Sequence, residues 1–474
     1  MRKNTILVAA VAGLLGLAAA AHAKDYVLTA RGALGQAQIE AVAAAGGSVY
    51  FSHEGTGLVM ARSDSAAFES QVKASGAFSE VLLDQVVQWQ KPGGEVLLEG
   101  DAINADDDTF YRFIQWAPQA VEAPAAWAAG CTGAGVRVAI LDGGIHSTHV
   151  DLVANLDVAA STSFVPGFAF NQDVGTFWHG THVAGIVAAE DNSIGTVGIA
   201  PEATLVGVKV LHDGSGSFGA VISGILYAAT PLAQGGGGAD IINMSLGALF
   251  PRGGGNTGAG PLVAAMNKAV NYADRYGVLV VSAAGNDYTD LDHSGSYIAV
   301  PAQSGSGIAV SATGPVGFGL HEALAVAPAA PEPSDSTNYR RIASYTNFGN
   351  SVINVAAPGG DFVYEIELAA VRNCTKALAP AGSLTRPCWV FDMVISTSRG
   401  ATASTTSYSW AAGTSMAAPA ASAVAAIIKQ RNPGISLGAL KTTLAGTADD
   451  EGKKGNDPFY GKGFVNANRA CTAQ

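Results

Sequence analysis

The chain is poor in charged residues and especially in positive charge. Asp, Glu, Lys and Arg make up 14% of its 474 residues, whereas an average soluble domain has about 25%. The 38 acidic residues outnumber the 26 basic ones, which argues against a nucleic-acid partner, since that would need a basic patch. Beyond the N-terminal segment no apolar run is long enough to cross a bilayer, so we expect no membrane partner. Glycine is abundant instead, with 59 residues, and favours a close-packed α/β core with tight turns.

Residues 1–23 predict a secretory signal peptide. Arg2 and Lys3 give a basic start, an apolar stretch follows from Ile6 to about Ala20, and residues 21–23 read A-H-A, a small-residue cleavage site. A membrane anchor is the alternative, but the apolar stretch is short and the cleavage site argues for removal. We therefore expect export to the extracellular space or the periplasm.

The few cysteines predict disulfides rather than a metal site. An exported chain meets oxidising conditions, and an even number of cysteines then implies disulfides. Four cysteines allow three pairings. Cys374 and Cys388 are close in sequence and flank a stretch rich in Pro and Gly, so we favour a local disulfide there, and Cys131–Cys471 by elimination. Neither their spacing nor the compartment favours zinc.

Residues 24–109 predict a small module followed by a linker. Up to about Gln90 the pattern is βαββαβ, which is typical of a split-βαβ, ferredoxin-like α+β unit. The segment "FSEVLLDQVVQW" is expected to be its last strand. The following residues hold Pro92, two glycines and an acidic cluster, a composition that predicts a solvated and cleavable linker.

Residues 110–474 predict a second, larger domain. Runs such as "GVRVAILD", "TLVGVKVL" and "VLVVSAAGN" alternate with helical patterns such as "LVAAMNKAVNYADRYG". Continuous Val and Ile strands between helices indicate a three-layer, doubly wound and mainly parallel sheet with helices on both faces. Active sites in such folds lie at the carboxyl ends of the strands.

Four polar residues stand at ends of the predicted elements. Asp142 and Asn286 follow apolar strands, and His179 and Ser415 stand at the starts of apolar helices. Each has an ordinary structural alternative, as a turn residue, a helix cap or a buried histidine. A metal site is a further alternative, because "HSTH" and "HGTH" each contain two histidines. Zinc proteases usually show H-E-x-x-H, and that Glu is absent here.

The order and the surroundings of these residues narrow the choice. Ser415 lies in "GTSMA" and not in the G-x-S-x-G turn of α/β-hydrolases, whose order is Ser, acid, His. Here the order is Asp142, His179, Ser415. The segments "VAILDGGIHSTHVDL", "HGTHVAGIVAA", "INMSLG", "SAAGN" and "GTSMAAPAASAVAA" resemble the motifs of the subtilisin family of serine proteases. The resemblance extends from about Phe110 to Ala470, with insertions.

This resemblance implies a secreted serine endopeptidase that needs no catalytic cofactor and cleaves proteins or peptides through an acyl-enzyme. Ser415 is then the nucleophile, His179 the general base and acid, and Asp142 the group that orients His179. Asn286 and the Ser415 backbone N–H form the oxyanion hole, while His182 is structural. A pseudoenzyme that only binds peptides and a secreted esterase or lipase are the competing hypotheses.

The resemblance also implies where the substrate binds. Two segments clamp the peptide backbone as an added strand, and in this chain they are Gly214, Ser215 and Gly216 together with Ser245, Leu246 and Gly247. The pocket for the side chain before the cleaved bond is lined by Ala283, Ala284 and Gly285, with Ala299 near its base. It carries no obvious charge, so we expect a preference for apolar or aromatic residues and broad specificity otherwise.

Structural calcium is a further implication of the resemblance. Oxygen-rich ligation suits this hard cation. The expected ligands are the side chains of Asp151 and Asn192 and the carbonyls of Glu190, Ile194 and Thr196, with Gln115 as an additional ligand. The alternative is an ordinary solvated acidic loop.

The N-terminal module resembles the propeptide of this family, which acts as an intramolecular chaperone and inhibitor. We expect self-cleavage between about Gln90 and Tyr111 and a monomeric mature enzyme. Residues from about Asp361 to Met393 are an insertion relative to the family, and a Cys374–Cys388 disulfide would stiffen it.

Overall fold

The structure is a computed structural model. It describes residues 23–89, 94–97, 114–252, 259–315, 317–318, 339–362, 373–377, 383–400 and 406–473. The predicted signal peptide, except for Ala23, and most of the predicted linker lie outside these ranges. Among the residues described, no helix combines the length and the apolar character that a membrane span requires.

Residues 24–83 form the N-terminal module, whose elements follow one another as βαββαβ. Their bounds are β1 (Lys24–Ala30), α1 (Gln36–Ala44), β2 (Gly47–His53), β3 (Leu58–Ser63), α2 (Phe68–Ala74) and β4 (Phe78–Leu83). The four strands form an antiparallel sheet in the order β2–β3–β1–β4.

The sheet of the N-terminal module is covered on both faces. Successive side chains of a strand point to opposite faces. Leu28 and Val59 therefore pack with Val42 and Phe68 of the module's own helices. Val27 and Met60 instead join a cluster of buried residues that belongs mainly to the rest of the chain. The module is thus packed against the larger domain through an apolar face.

The strand predicted in "FSEVLLDQVVQW" is two strands in different sheets. After β4 the chain bends at Asp84, and a short strand β5 (Val86–Gln88) leaves the module's sheet. A further strand, β6 (Gly94–Leu97), lies in the segment predicted to be a solvated linker. Both differences have the same physical cause, because the backbones of β5 and β6 pair with strands of the larger domain.

The α/β domain, described from residue 114 onward, has the predicted doubly wound architecture. The bounds of its strands are β7 (Arg137–Asp142), β8 (Thr162–Ser163), β9 (Thr204–Lys209), β10 (Ser215–Ser217), β11 (Ile241–Met244), β12 (Ala248–Pro251), β13 (Leu279–Ala283), β14 (Tyr297–Val300), β15 (Ile308–Gly314), β16 (Arg341–Ile342), β17 (Ile353–Pro358), β18 (Asn373–Ala377), β19 (Ser383–Pro387), β20 (Val394–Ser398) and β21 (Ser407–Ala412). The central sheet has the order β8–β9–β7–β11–β13–β15–β17 with parallel pairing throughout, and β16 is added antiparallel to β15.

Helices cover both faces of the central sheet. Their bounds are α3 (Ala117–Ala120), α4 (Ala123–Ala128), α5 (His179–Ala188), α6 (Phe218–Ala229), α7 (Gly260–Arg275), α8 (Thr414–Arg431), α9 (Leu437–Gly446) and α10 (Ala467–Thr472). Strand β7 shows the two layers, because Val138 and Ile140 pack with α5 and α8, whereas Ala139 and Leu141 pack with α6 and α7. Burial on both faces explains why these strands are uninterrupted apolar runs.

The smaller sheets and the disulfides lie around this core. Strand β5 pairs with β10, β6 with the β20–β21 hairpin, β12 with β14, and β18 with β19. The Cys131–Cys471 disulfide joins the beginning and the end of the α/β domain, and Cys374–Cys388 closes the β18–β19 hairpin. These are the two pairs favoured from the sequence.

Candidate active site

The polar residues singled out from the sequence gather at one edge of the central sheet. Asp142 is the last residue of β7, Ser245 follows β11, and Asn286 comes shortly after β13. The three strands are neighbours in the order β7–β11–β13 and run parallel. Their carboxyl ends therefore open onto the same crevice, where the predicted fold places a site.

Asp142 and His179 form the best-defined contact of the site. The Nδ1 atom of His179 lies 2.9 and 2.8 Å from the two carboxylate oxygens of Asp142. Asp142 is 1% exposed, and its Oδ1 also accepts the Gly143 N–H at 2.6 Å. The carboxylate holds the imidazole in the tautomer that carries the proton on Nδ1, so that Nε2 is the basic nitrogen.

The glycine after His179 makes this contact possible. His179 is the first residue of α5. A Cβ on Gly180 would lie 2.6 Å from the Gly144 carbonyl oxygen and 2.9 Å from Asp142 Cβ. Only a residue without a side chain allows the helix to start this close to the end of β7.

Ser415 lies at the beginning of α8 and is held by Ser245. Its hydroxyl donates to the Ser245 carbonyl at 3.2 Å, and the Ser245 hydroxyl donates to the Ser415 carbonyl at 2.6 Å. Asn243 donates to the same Ser245 hydroxyl at 2.9 Å. Ser245 was expected to bind substrate, but no sequence motif indicated this reciprocal contact with Ser415.

The start of α8 is suited to stabilising negative charge. The helix begins at Thr414 after Gly413, so the Ser415 N–H is one of the first amides, which have no acceptor within the helix. Helix α8 packs against α5 and against the central sheet. Ser415 and His179 thus occupy the first turns of two contacting helices.

Asn286 is fixed by the residue that precedes Ser415. Its Oδ1 accepts the Thr414 backbone N–H at 2.9 Å and the Thr414 hydroxyl at 2.8 Å. The Thr414 hydroxyl in turn accepts the Gly285 N–H at 3.0 Å. Because the amide oxygen is used in this way, the donor end of Asn286 is its Nδ2 group.

The first predicted substrate-binding segment is covered by the chain itself. Strand β5 pairs antiparallel with β10, with Val87 opposite Gly216 and Gln88 opposite Ser215. Trp89 continues this pairing, because its N–H donates to the Gly214 carbonyl at 3.0 Å and its indole N–H to the Gly216 carbonyl at 3.1 Å. Trp89 is fully buried, and its ring packs on Phe218 and Phe250.

The four residues expected to form the side-chain pocket, Ala283, Ala284, Gly285 and Ala299, line one pocket in the structure. The pocket is small. Gly247, which was expected to bind the peptide backbone, also lines it. Leu246, from the second segment predicted to bind the peptide backbone, has its side chain fully buried in the core. The pocket is also lined by Asp287, an exposed residue, so the expectation of a pocket without charge is incomplete.

Comparisons with known proteins agree with this geometry. The model of the subtilase family matches residues 133–463. M-protease of Shouchella clausii (strain KSM-K16) is 35% identical over 368 residues, which cover 77% of this chain and 72% of that protein.

The chain belongs to the subtilase family. It is therefore a serine endopeptidase.

Solved structures show the same fold. A protease of Pseudoalteromonas arctica PAMC 21717 is 29% identical, with a TM-score of 0.56 and coverage of 78% of this subtilase and 99% of that chain. Fervidolysin from Fervidobacterium pennivorans has a TM-score of 0.64, and the match covers 95% of this chain and 61% of the fervidolysin chain. At 19% identity, fervidolysin supports the fold alone.

Two other histidines of this subtilase, His182 and His149, are buried against the β20–β21 hairpin. The Nε2 atom of His182 lies 2.9 Å from the Ser409 carbonyl and 3.2 Å from that of Val394. Burial lowers the pKa of His182 to about 3. His149 contacts the Ser407 carbonyl at 3.0 Å, and burial lowers its pKa to about 4. Both rings are therefore neutral at physiological pH and anchor the β20–β21 hairpin.

The residues predicted to bind calcium lie close together in this subtilase, because Asp151 contacts the loop of residues 190–196. Asp151 is fully buried, and its Oδ2 accepts the backbone N–H of Thr196 at 3.1 Å. Asn192 Oδ1 accepts the Ile194 N–H at 3.0 Å, and its Nδ2 lies 3.2 Å from Glu190 Oε2.

Gln115 also reaches this loop and exchanges two hydrogen bonds with Val197, of 2.7 and 3.0 Å. A buried carboxylate with amide and carbonyl oxygens around it fits a hard cation in its chemistry. In the described part of the chain no group of three or more His, Cys, Asp or Glu side chains could hold a metal, so such a site would depend on amide and carbonyl oxygens.

Proposed function

We propose that this subtilase is exported as a self-processing zymogen and hydrolyses peptide bonds through Ser415, His179 and Asp142. The contact that carries the proposal is that of His179 Nδ1 with the Asp142 carboxylate at 2.8 Å. It leaves His179 Nε2 as the base for a hydroxyl at the start of the neighbouring helix. That arrangement is the one that activates a serine for attack on a carbonyl.

The reaction follows from these roles. Ser415 Oγ attacks the peptide carbonyl while His179 Nε2 takes the hydroxyl proton, and the imidazolium is stabilised by Asp142, which stays ionised. The Ser415 N–H and Asn286 Nδ2 donate to the oxyanion that forms. His179 then gives its proton to the leaving amine, and water hydrolyses the acyl-enzyme by the same steps. The enzyme needs no catalytic cofactor.

Protein and peptide substrates bind as an added strand in this proposal. The pairing of β5 with β10 supports it, because an extended segment of the chain itself already pairs with this strand. The mainly apolar pocket favours apolar side chains before the cleaved bond, with broad specificity otherwise.

We assign residues 1–23 to a signal peptide, 24–109 to a propeptide with its linker, and 110–474 to the protease. Strand β5, which follows the N-terminal module directly, covers the Gly214–Gly216 segment, as an inhibitor would. Two pairings support a cut near the start of the predicted range of 90–111. Val86–Gln88 pairs with Ser215–Ser217, and Gly94–Leu97 pairs with β21, the strand that leads to Ser415.

Structural calcium completes the proposal. The ligands would be the side chains of Asp151 and Asn192 and the carbonyls of Glu190, Ile194 and Thr196, with Gln115 as a further oxygen donor from the start of the domain. Bound calcium would neutralise the buried Asp151 carboxylate and tie this loop to the domain.

The decisive experiment compares the intact masses of the wild type, Ser415→Ala and Ser422→Ala after export. Ser422 is the matched control, because it is a buried serine of the same helix whose hydroxyl contacts Asn243 at 3.0 Å. We expect the wild type and Ser422→Ala to lose the N-terminal module, with a new N-terminus between about residues 90 and 111, and Ser415→Ala to keep it. Full-length protein in all three, or cleavage of all three, would contradict self-processing by Ser415.

A further inference from the structure

A buried lysine lies beside the proposed catalytic acid. Lys209 is the last residue of β9, and its register partner on the neighbouring strand is Asp142. The side chain of Lys209 is 0% exposed. Burying an ammonium group is costly unless it is paired, and an apolar residue of similar size is often at least as stabilising. Packing alone therefore does not explain why a lysine occupies this position.

The ammonium group of Lys209 joins two segments of the site. It donates to the carbonyl of Gly143, the residue directly after Asp142. It also donates to the carbonyl of Leu211 at 2.7 Å, shortly before the Gly214–Gly216 segment. The Asp142 backbone carbonyl is itself held from this side, because it accepts the N–H groups of Val210 and Leu211 at 2.9 and 3.2 Å.

Asp173 completes the link on the other side of Lys209. Its Oδ1 lies 3.9 Å from Lys209 Nζ and accepts the Asp213 N–H at 3.1 Å, next to the substrate-binding segment. Its Oδ2 packs so closely on Gly143 that a Cβ there would not fit. Asp173 thus touches the same two segments that Lys209 bridges.

The charges around Lys209 favour the ammonium form. Burial lowers the pKa of Lys209 to about 8, and the carboxylates of Asp173 and Asp142 oppose this shift. His212 faces Asp173 with its Nδ1 3.6 Å away, and the Phe168 ring lies 5.8 Å from Lys209 Nζ. At neutral pH the lysine is therefore a cation held next to two acids.

We propose that Lys209 is a positioning residue of the protease, whose ammonium group locks the turn that follows Asp142 to the strand that binds the substrate backbone. Through Gly143 it sets the orientation of the Asp142 carboxylate toward His179. Through Leu211 it sets the position of the Gly214–Gly216 segment. The inference rests on the proposed roles of Asp142, His179 and Ser415.

The test uses Lys209→Met, which keeps the length and apolar stem of the side chain but donates no hydrogen bond. The number of active sites is titrated with a serine-reactive fluorophosphonate, and kcat and KM for a peptide substrate are measured per labelled site. We expect kcat to fall roughly 10- to 100-fold, since small misplacements of catalytic groups have effects of this size, and KM to rise. Lys209→Gln, which can still donate to one carbonyl, should be intermediate.

Lys376→Met is the matched control. Lys376 is also a buried lysine, its Nζ donates to the Phe318 carbonyl at 3.0 Å, and burial likewise lowers its pKa to about 8. This variant loses an equivalent buried ammonium away from Asp142, so its kcat and KM per labelled site should equal those of the wild type.

The possible results distinguish a failure of the positioning role of Lys209 from a failure of the proposed protease function. Wild-type kinetics per labelled site in Lys209→Met would overturn the positioning role. So would failure of both Lys209 variants to fold while Lys376→Met folds, because Lys209 would then be structural. A wild type that the fluorophosphonate labels at no residue, or at a residue other than Ser415, would instead refute the proposed function.

Discussion

The carboxylate of Asp84 accepts the backbone N–H of Gly219, with 3.1 Å to each of its oxygens. Asp84 follows the N-terminal module, whereas Gly219 lies in the first turn of α6 in the α/β domain. The contact therefore places a negative charge at a helix N-terminus, where it is stabilised by the unpaired amides and the helix dipole. Burial nevertheless dominates and raises the pKa of Asp84 to about 6.

This contact predicts that the N-terminal module is held more tightly in acid. The pKa of Asp84 rises from 3.8 to about 6 in the packed state, so the packed state binds a proton more readily than the unfolded chain does. The stabilisation that comes from protonating Asp84 is complete below about pH 4 and is lost as the pH rises through about 6. Asp84→Asn keeps an acceptor for Gly219 without the buried charge, so it should be more stable than its parent at pH 7 and lose this advantage toward pH 4.

The measurement is the free energy of unfolding between pH 4 and 8, in a full-length Ser415→Ala background that prevents self-cleavage. Asp64→Asn is the control, because Asp64 is an exposed acid of the N-terminal module. An Asp84→Asn curve parallel to that of the parent would show that Asp84 does not titrate in this range.

Asn286 is predicted to act in the transition state and not in substrate binding. Asn286→Leu should lower kcat by about 100- to 1,000-fold and leave KM close to that of the wild type, as is found when an oxyanion donor is removed. Asn286→Asp separates the two ends of the amide, because it keeps an oxygen for Thr414 but loses the Nδ2 donor. It should be at least as impaired as Asn286→Leu. Wild-type kcat in Asn286→Asp would mean that Asn286 only anchors Thr414.

The central sheet and the edge on which the site lies could be predicted because they depend on local patterns. A run such as "VRVAIL" is apolar at every position, which indicates a strand buried on both faces, and the polar residue that follows it must lie at the carboxyl edge. The same reasoning locates Asn286 after β13. The sequence also predicts that His179 and Ser415 stand at the starts of helices. That they act together with Asp142 was inferred only from the family resemblance.

The contacts that could not be predicted join residues distant in sequence. Lys209 reads as a polar interruption in "LVGVKVL", and only the register of β9 on β7 brings it beside Asp142. The bend at Asp84 also has no local signal, since "LLDQVV" reads as one strand. It arises because pairing with β10 and the contact with Gly219 compete with continuation of β4. The reciprocal contact of Ser245 and Ser415 spans 170 residues.

The two disulfides are predicted to stabilise the enzyme unequally. Cys131–Cys471 spans 340 residues and Cys374–Cys388 spans 14. In the chain-entropy model the longer loop contributes more, by roughly 3 kcal/mol, because its closure removes more freedom from the unfolded chain. Paired Cys→Ala variants of each disulfide, compared by denaturant unfolding in the Ser415→Ala background, measure the difference. A larger loss for the Cys374–Cys388 pair would show that native-state packing of the insertion outweighs loop entropy.

Removal of calcium is predicted to destabilise the wild type through Asp151. The Asp151 carboxylate is fully buried, and a bound cation would offset the cost of that charge. A ligand present at 100 times its Kd stabilises the folded state by ~2.7 kcal/mol, so EDTA should lower the melting temperature of the mature enzyme and added calcium should restore it. Asp151→Asn should melt lower in calcium and respond little to EDTA, whereas Asp290→Asn, in a different loop, should respond as the wild type does. An equal EDTA response in Asp151→Asn would place any bound calcium away from Asp151, and the buried carboxylate would then be stabilised by protein contacts such as its hydrogen bond with the Thr196 N–H.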